Sequence, residues 1–483
     1  MKSKKILSFV LLLFSFQTFA CTIFSAKDKK GQVWTGNNED NLFTFNSLVN
    51  IVPSTPNSFG YIYFTYNDSR EGKQGGVNEA GLFFDFNAVP YTKRTDSDKK
   101  PTYPGENLKM FEHIMEHLTT VQEVMDLYKK YKVFGVEYGQ LHLADKFGNL
   151  GIIVADSMWI TKNNYLASTN YNLCHADHDG DDCFRMPIAE RLLKNNEPSF
   201  ELFTQICDST HQFYSSGAST IYSNIHNLTT GEIWFYFGLD FKTVHKTTLQ
   251  ELLKQGKSSF YVCDLFEDQT LVKAYRAAQN KEYDRSIVLI NAIKDSTERA
   301  NMLLLLVTGL IDMGGDFDSY PIFEAYFNSK KPELKDYWVN SSVLYFIGRK
   351  EEALSSIEDG LKLDPKDYQL LNLKLQLEGK FFSEANYRIE LKGFQDAKYV
   401  LLDGISYYKL DYFLVKKGDS WVAAYPLPPD EYLFRFIVDG KVVIVSQFEK
   451  FTLNGIEYNR VVIKKSFFRH IITRIFKYKF KIK

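Results

Sequence analysis

Three textures of hydrophobic patterning follow one another along this chain. From Cys21 to about Cys263, short apolar or alternating runs recur, among them SLVNIVP, FGYIYFTY, GLFFDFNAV, GIIVADSMWI, STIYSNIHNL and EIWFYFG. Their length and period predict strands. Two stretches of helical period, NLKMFEHIMEHL and TVQEVMDLYKKY, interrupt them. Strands and helices segregated in this way predict an α+β layered domain over 21–263. From about Glu267 to Gly379 the period turns helical, and YWVNSSVLYFIGRKEEALSSIEDGLKLDP reads as two amphipathic helices joined at Gly348–Arg349. Over 383–465 alternation returns. Tyr432, Phe434, Phe436 and Val438 share one face, and the VDG that follows signals a hairpin turn. The tail over 466–483, SFFRHIITRIFKYKFKIK, mixes basic and apolar residues. It fits a peripheral contact with an anionic membrane surface and equally an edge strand or disordered end.

The start of the chain carries a separate signal. Lys2, Lys4 and Lys5 precede an apolar run from Ile6 to Phe16, and Thr18 and Ala20 are small residues placed for cleavage after Ala20. The expectation is a signal peptide over 1–20 and an exported protein, periplasmic or secreted, with Cys21 as its first residue. An N-terminal cysteine brings its own base, because the freed α-amino group has a pKa of about 7.7–8.0. The thiolate is the nucleophile, and an amine that activates its own side chain suits covalent acyl transfer. Lipid attachment at Cys21 is the competing expectation. That modification favours an aliphatic residue three positions earlier, where Thr18 stands, followed here by bulky Phe19.

Composition narrows the class. The chain has 483 residues, enough for several domains. A net charge of -1 argues against a general nucleic-acid binder, and the abundance of aromatics (40 Phe, 30 Tyr) favours β-rich segments. Five cysteines are too few for a disulfide scaffold, although export permits a bridge and Cys174 with Cys183 is the pair closest in sequence. Between them, CHADHDGDDC places Asp177, Asp179 and Asp181 at calcium-loop spacing. Its twelfth position is Ile188 rather than an acid, and His175 and His178 with the two cysteines are not spaced as a standard zinc site. The expectation is a polar surface loop and no metal.

CTIFSAKDKKGQVWTGNNED predicts strand, turn at Lys29–Gly31, and strand, which returns Asn37, Asn38 and Asp40 beside Cys21. A carboxylate there can hold an α-ammonium and orient a thiol. These residues resemble the N-terminal-nucleophile hydrolases of the choloylglycine hydrolase and penicillin V acylase group, with the acid ceramidase-like amidases and isopenicillin N acyltransferases. Cys21-Thr22, GNNED, GGVNEAGLFFDFNAVP, TTVQEVMDLY, LHLADKFGNLGIIVAD and LASTNYNL follow that group's order. The resemblance implies an αββα sandwich without a cofactor. Within it, Cys21 is nucleophile and base, and Asp40 orients amine and thiol. Asn170 gives its side-chain amide to the oxyanion, and Asn87 stands at the second oxyanion position through its backbone N–H. Asn37 and Asn38 lie toward the substrate. Asn37 replaces the group's arginine beside the nucleophile, and no second arginine is visible near Ser219–Ile225. A lost fork of charge turns the expectation from charged conjugates toward an uncharged or peptide-like linear amide, as a small-molecule substrate.

Two further resemblances complete the picture. Gly348, Ala353, Leu361, Asp364 and Pro365 match offsets in the tetratricopeptide repeat, with a weaker copy in AYRAAQNKEYDRSIVLINAI. This implies a helical spacer or a protein partner's docking surface over 267–379. GFQDAKYVLLDG, Trp421 and PLPPDEYLFRFIVDGK resemble the early-set, immunoglobulin-like sandwich of carbohydrate-binding modules. Such modules stack glycans on aromatic rings, though Val442 stands where the aromatic after the turn is usual. The expected function is an exported cysteine amidase, with acyltransferase activity where an amine or thiol outcompetes water. The alternative is a lipid-anchored binding or scaffold protein with an inert hydrolase domain.

Overall fold

The computed structural model describes residues 21–66, 73–89, 92, 100–104, 107–132, 139–155, 157–174, 183–214, 217–312, 319–380, 387–397, 400–405, 412–425, 431–439, 441–453 and 456–463. Residues 1–20, the His/Asp-rich part of the loop after Cys174, and residues 464–483 lie outside them. The chain divides into two compact units. One takes the described residues within Phe16–Ile293 and Leu304–Met313, the other those within Lys294–Leu303 and Gly314–Lys483.

The first unit is built on two antiparallel sheets. Its strands are β1 (Thr22–Lys27), β2 (Val33–Leu42), β3 (Ser47–Val52), β4 (Tyr61–Tyr66), β5 (Gly75–Asn78) and β6 (Leu82–Ala88). Helices α1 (Asn107–His117) and α2 (Val121–Lys130) come next, then β7 (Gly139–Asp145), β8 (Leu150–Val154), β9 (Ser157–Ile160) and β10 (Tyr165–Ser168). After α3 (Arg185–Asn195) and α4 (Phe200–Thr210) the chain adds β11 (Ala218–Asn227), β12 (Glu232–Phe237), β13 (Asp240–Thr248), α5 (Leu249–Leu253) and β14 (Ser258–Tyr261). One sheet runs β10-β1-β2-β11-β12-β13, the other β14-β3-β4-β5-β6-β7-β8-β9.

Apolar side chains fix the layers. Helices α1 and α2 lay Met110, Ile114, Val124 and Met125 on Leu82, Phe84, Leu141 and Ile153 of the second sheet. Helix α2 begins where the sequence suggests, with Thr120 and Glu123 closing a capping box. Helices α3 and α4 cover the first sheet, with Ala189, Phe203 and Ile206 against Phe24, Trp34 and Ile225. The other sheet faces meet each other, as the stacked rings of Phe64 and Tyr222 show at 5.4 Å. The order is helix, sheet, sheet, helix. At Gly36 an added Cβ would lie 2.7 Å from the Phe24 ring, so that glycine lets Phe24 close over the strand.

The helical stretch read as one region is divided between the units. Helices α6 (Thr270–Gln279) and α7 (Tyr283–Asn291) fall in the first, whereas α8 (Ser296–Asp312) is shared. Helices α9 (Tyr320–Asn328), α10 (Leu334–Phe346), α11 (Lys350–Leu363) and α12 (Tyr368–Leu377) fall in the second. α10 and α11 meet at Gly348, whose φ of +83° suits glycine, and Ala353 is fully buried. Among the described residues no helix is long and apolar enough to cross a membrane.

The second unit ends in two sheets. The strands are β15 (Tyr387–Lys392), β16 (Val400–Ile405), β17 (Tyr412–Phe413), β18 (Val415–Lys417), β19 (Ser420–Tyr425), β20 (Glu431–Val438), β21 (Lys441–Val443), β22 (Glu449–Leu453) and β23 (Ile456–Val462). They pair as β15-β19-β18 and β17-β16-β20-β23-β22, with β21 beside β20. The predicted face of Tyr432, Phe434, Phe436 and Val438 is buried. Trp421 belongs to that core. It is only 5% exposed within the same core, and its indole N–H donates to the Phe394 carbonyl at 3.1 Å. A ring enclosed by neighbours offers no face for a sugar to stack on.

Candidate active site

The β1–β2 hairpin places the first chemistry. Its register sets Thr22 opposite Asn38 and Ile23 opposite Asn37, and Gly31 turns the chain at a φ of +83°. Side chains alternate across a strand, so Asn37 and Glu39 share the face of Cys21, while Asn38 and Asp40 share the other. Asn38 is therefore not beside the thiol. Its amide donates to the Cys207 carbonyl at 2.9 Å and to Thr210 Oγ1 at 3.1 Å, and its oxygen accepts from Ser223. It ties β2 to α4 and β11.

The thiol of Cys21 is buried and donates toward Glu39 Oε2 at 3.7 Å. Glu39 also accepts from Tyr66 Oη at 2.9 Å and from Asn37 Nδ2 at 3.3 Å. Burial first, then the nearby Glu39, Asp40 and Asp85, push the Cys21 thiol up, against a lowering hydrogen bond from the Asp40 backbone. Asp85 on the facing sheet is itself raised by burial and by Glu39. Glu39 meets the thiol directly, while Asp40 and Asp85 act on it only through their charge. Glu39 is a residue the sequence reading passed over, although strand alternation from Asn37 would have pointed to it.

The side chain of Asp40 reaches a different set of groups. It accepts from Gln212 Nε2 at 2.5 Å and from Thr220 Oγ1, its partner across β11. Arg185 lies 3.7 Å away. Burial raises its pKa to about 7, and Arg185, Thr220 and Gln212 only partly oppose the shift. The guanidinium is distributed over several partners. Arg185 Nη1 donates to the Cys21 carbonyl and to Thr22 Oγ1, both at 3.0 Å, and Nη2 donates to Asn170 Oδ1 at 3.3 Å. Desolvation therefore outweighs the ion pair.

Arg185, which the sequence reading did not name, brings a guanidinium to the backbone of Cys21. It comes from the first residue of α3 rather than from β11. A cation at a helix N-terminus opposes the helix dipole, and the first turn of α3 holds no acid. The position serves the site and not the helix, and no local pattern announces it.

The two asparagines expected at the oxyanion both join the hydrogen-bond network around Cys21. Asn170 follows β10, and its amide donates to the Ala88 carbonyl at 2.7 Å. Asn87 was expected to act through its backbone. Its side-chain amide donates to the Cys21 carbonyl at 3.0 Å, and its oxygen accepts from Ser168 Oγ at 2.6 Å. Behind Ser168, His142 bridges Ser168 at 2.9 Å and Ser25 at 2.8 Å. Burial lowers the His142 pKa to about 3, so the ring is neutral and serves as a relay of hydrogen bonds.

Cys174 and Cys183 are free thiols rather than a bridge. Cys174 turns toward Trp159 and Val154, and burial raises it to about 11. Cys183 turns toward Thr169 Oγ1 at 3.5 Å and toward Arg185. The rest of the candidate metal loop, 175–182, lies outside the described residues.

Comparison with known proteins follows this geometry. Residues 26–240 match the family model of acyl-coenzyme A:6-aminopenicillanic acid acyl-transferase. No curated protein matches the sequence. Among solved structures, the chain is similar to two variants of the conjugated bile acid hydrolase from Clostridium perfringens. Each is 13% identical, covers 50% of this chain and 96% of that one, and the TM-scores are 0.39 and 0.40. It is also similar to penicillin V acylase from Agrobacterium tumefaciens, at 15% identity, 50% and 90% coverage, and a TM-score of 0.38. The family match, which opens inside β1 and closes at the start of β13, supports the N-terminal-nucleophile hydrolase group of amidases and acyltransferases for this part of the chain.

Proposed function

We propose that the protein is an exported cysteine amidase of that group, cleaving a linear, uncharged or peptide-like C–N amide, with an αββα catalytic sandwich. The single observation that carries this is the convergence on Cys21 of Asn87, Arg185 and, through Arg185, Asp40 and Asn170. Cys21 attacks the amide carbonyl, the amine leaves with a proton, and a thioester forms. Water then releases the acid, or an amine or thiol acceptor takes the acyl group. Amide donors aimed at the developing oxyanion supply much of the rate in such chemistry.

The electrostatics support cleavage before Cys21. With the peptide bond intact, burial and three carboxyl groups hold the thiol protonated. Freeing the α-amine places a positive charge and a base beside the thiol, which opposes that rise and offers a proton acceptor. The tetratricopeptide-like helices and the early-set-like sheets serve in this proposal as accessory domains.

Intact mass and N-terminal sequencing of the exported protein test the reading, followed by turnover of an amide library. A start at free Cys21, with turnover abolished by Cys21→Ala, is the expected result. A start elsewhere, a lipid on Cys21, or retained turnover in the variant refutes it.

A further inference from the structure

The inner face of the first sheet carries a strip of polar atoms that the catalytic reading leaves unused. Across the β2–β11 pair, Thr35 stands opposite His226 and Asn37 opposite Asn224. All four residues are at most 1% exposed. Among the described residues, Thr35 Oγ1, Asn37 Oδ1, Asn224 Nδ2 and His226 Nδ1 find no protein hydrogen-bond partner. They face the second sheet, since the His226 ring meets Phe64 at 6.4 Å and Phe83 at 5.6 Å.

Leaving buried polar groups bare is costly, and four adjacent on one face make an apolar void an unsuitable filling. Polar, roomy interior sites hold ordered water. The chemistry of the set fits that occupant. His226 Nε2 bonds Asn224 Oδ1 at 2.9 Å, and burial holds the ring neutral, so Nδ1 is left as an acceptor. Asn224 Nδ2 is a donor, Asn37 Oδ1 an acceptor, and Thr35 Oγ1 can be either. Water alone satisfies all of them without a charge.

The strip has two ends. At the end next to the β11–β12 turn, His226 forms part of the wall of a cavity of about 620 Å³, with Asn78, Glu79, Gly81, Lys146 and Asn227. At the other end Asn37 donates to Glu39, which accepts from the Cys21 thiol. Four residue steps along β11 lead from His226 to Tyr222, the partner of Glu39, a span of about 14 Å.

We propose that this strip is a water conduit between the sheets, entered at the cavity and ending at Glu39 beside Cys21. Its catalytic use rests on the thioester reading above. It gives water a route to the acyl carbon while the acyl group occupies the substrate side. Water oxygen adds to that carbon, the C–S bond breaks, the water's proton reaches the thiolate, and acid and free thiol result.

Two measurements on the processed full chain test it. In a high-resolution crystal structure, ordered waters are expected within hydrogen-bond distance of all four atoms. A direct Asn37–Asn224 bond with Thr35 and His226 left dry overturns the conduit, whether or not Cys21 is active. In the second, p-nitrophenyl acetate acylates the thiol, the p-nitrophenolate burst reports acylation, and the later steady release reports hydrolysis. Thr35→Val, which keeps the side-chain shape, and Asn224→Leu should leave the burst unchanged and slow hydrolysis about tenfold. Added hydroxylamine, reaching the thioester from the substrate side, should restore release. Unchanged hydrolysis in both variants overturns the proposed use. If wild type gives no burst beyond that of Cys21→Ala, the thioester reading fails by itself, and the crystallographic waters decide the conduit.

Discussion

Asp40→Asn tests the balance of forces at the centre of the site. In the uncleaved chain Asp40 is buried beside one shared guanidinium, and its pKa rises from 3.8 to about 7 because desolvation exceeds what Arg185, Thr220 and Gln212 return. At about 1.36 kcal/mol per unit, a rise of roughly three units is worth about 4 kcal/mol. The sign follows from proton binding. Between about pH 4 and pH 7 the unfolded carboxyl has released its proton while the native one keeps it, so stability falls as pH rises through that window and levels above it. Asn cannot ionise, so the variant lacks this decline. Urea unfolding at unit steps from pH 4 to pH 8, followed by fluorescence of Trp34 and Trp234, gives the comparison. Subtracting the variant's curve removes the contribution of Asp85, which is raised in the same direction. The wild-type minus variant difference should drop by up to about 4 kcal/mol across the window. In the proposed form processed at Cys21, an α-ammonium should move that window to lower pH. A flat difference means that Asp40 titrates normally, and one that rises with pH means that Arg185 outweighs burial. Either result refutes the reasoning.

Three other outcomes are expected. Arg185→Lys keeps a charge but loses the fork that reaches Cys21, Thr22 and Asn170; kcat/KM for a hydrolysed amide should fall by about a hundredfold or more, and near-wild-type activity would show the fork to be dispensable. Ser168→Ala leaves the buried Asn87 oxygen without its donor; acyl-transfer rate should drop about tenfold with a stability loss of about 1–3 kcal/mol, read by burst kinetics and urea titration. Trp421→Ala removes a core ring of the second unit; that unit should lose about 3–5 kcal/mol by calorimetry. Sugar-array signals on wild type that vanish in a still-folded Trp421→Ala protein would contradict the core assignment.

The local periods of this sequence were enough to specify most elements. Alternation set β1 and β2 about a turn at Gly31, and Thr120 with Glu123 set the start of α2, because such signals depend on neighbours within a few residues. The same hairpin carried Asn37 and Asp40 back toward Cys21 in predictable register. What each side chain touches was another matter. Strand alternation turned Asn38 away into the α4 side and brought Glu39 to the thiol. Asn87 reached Cys21 with its side chain because β6 on the facing sheet aims it there. Arg185 enters from a helix start far along the chain, and its partners lie on β1, on β2 and just after β10. Trp421 reads as a solitary aromatic, and the sheets enclose it in their core. Contacts of this kind depend on how sheets and helices stack, which involves residues too distant in sequence to leave a local pattern. The sequence by itself determined the strands, the helices and the identity of the nucleophile candidate. Only the packed layers decided which charges surround that thiol and which polar groups are buried beside it.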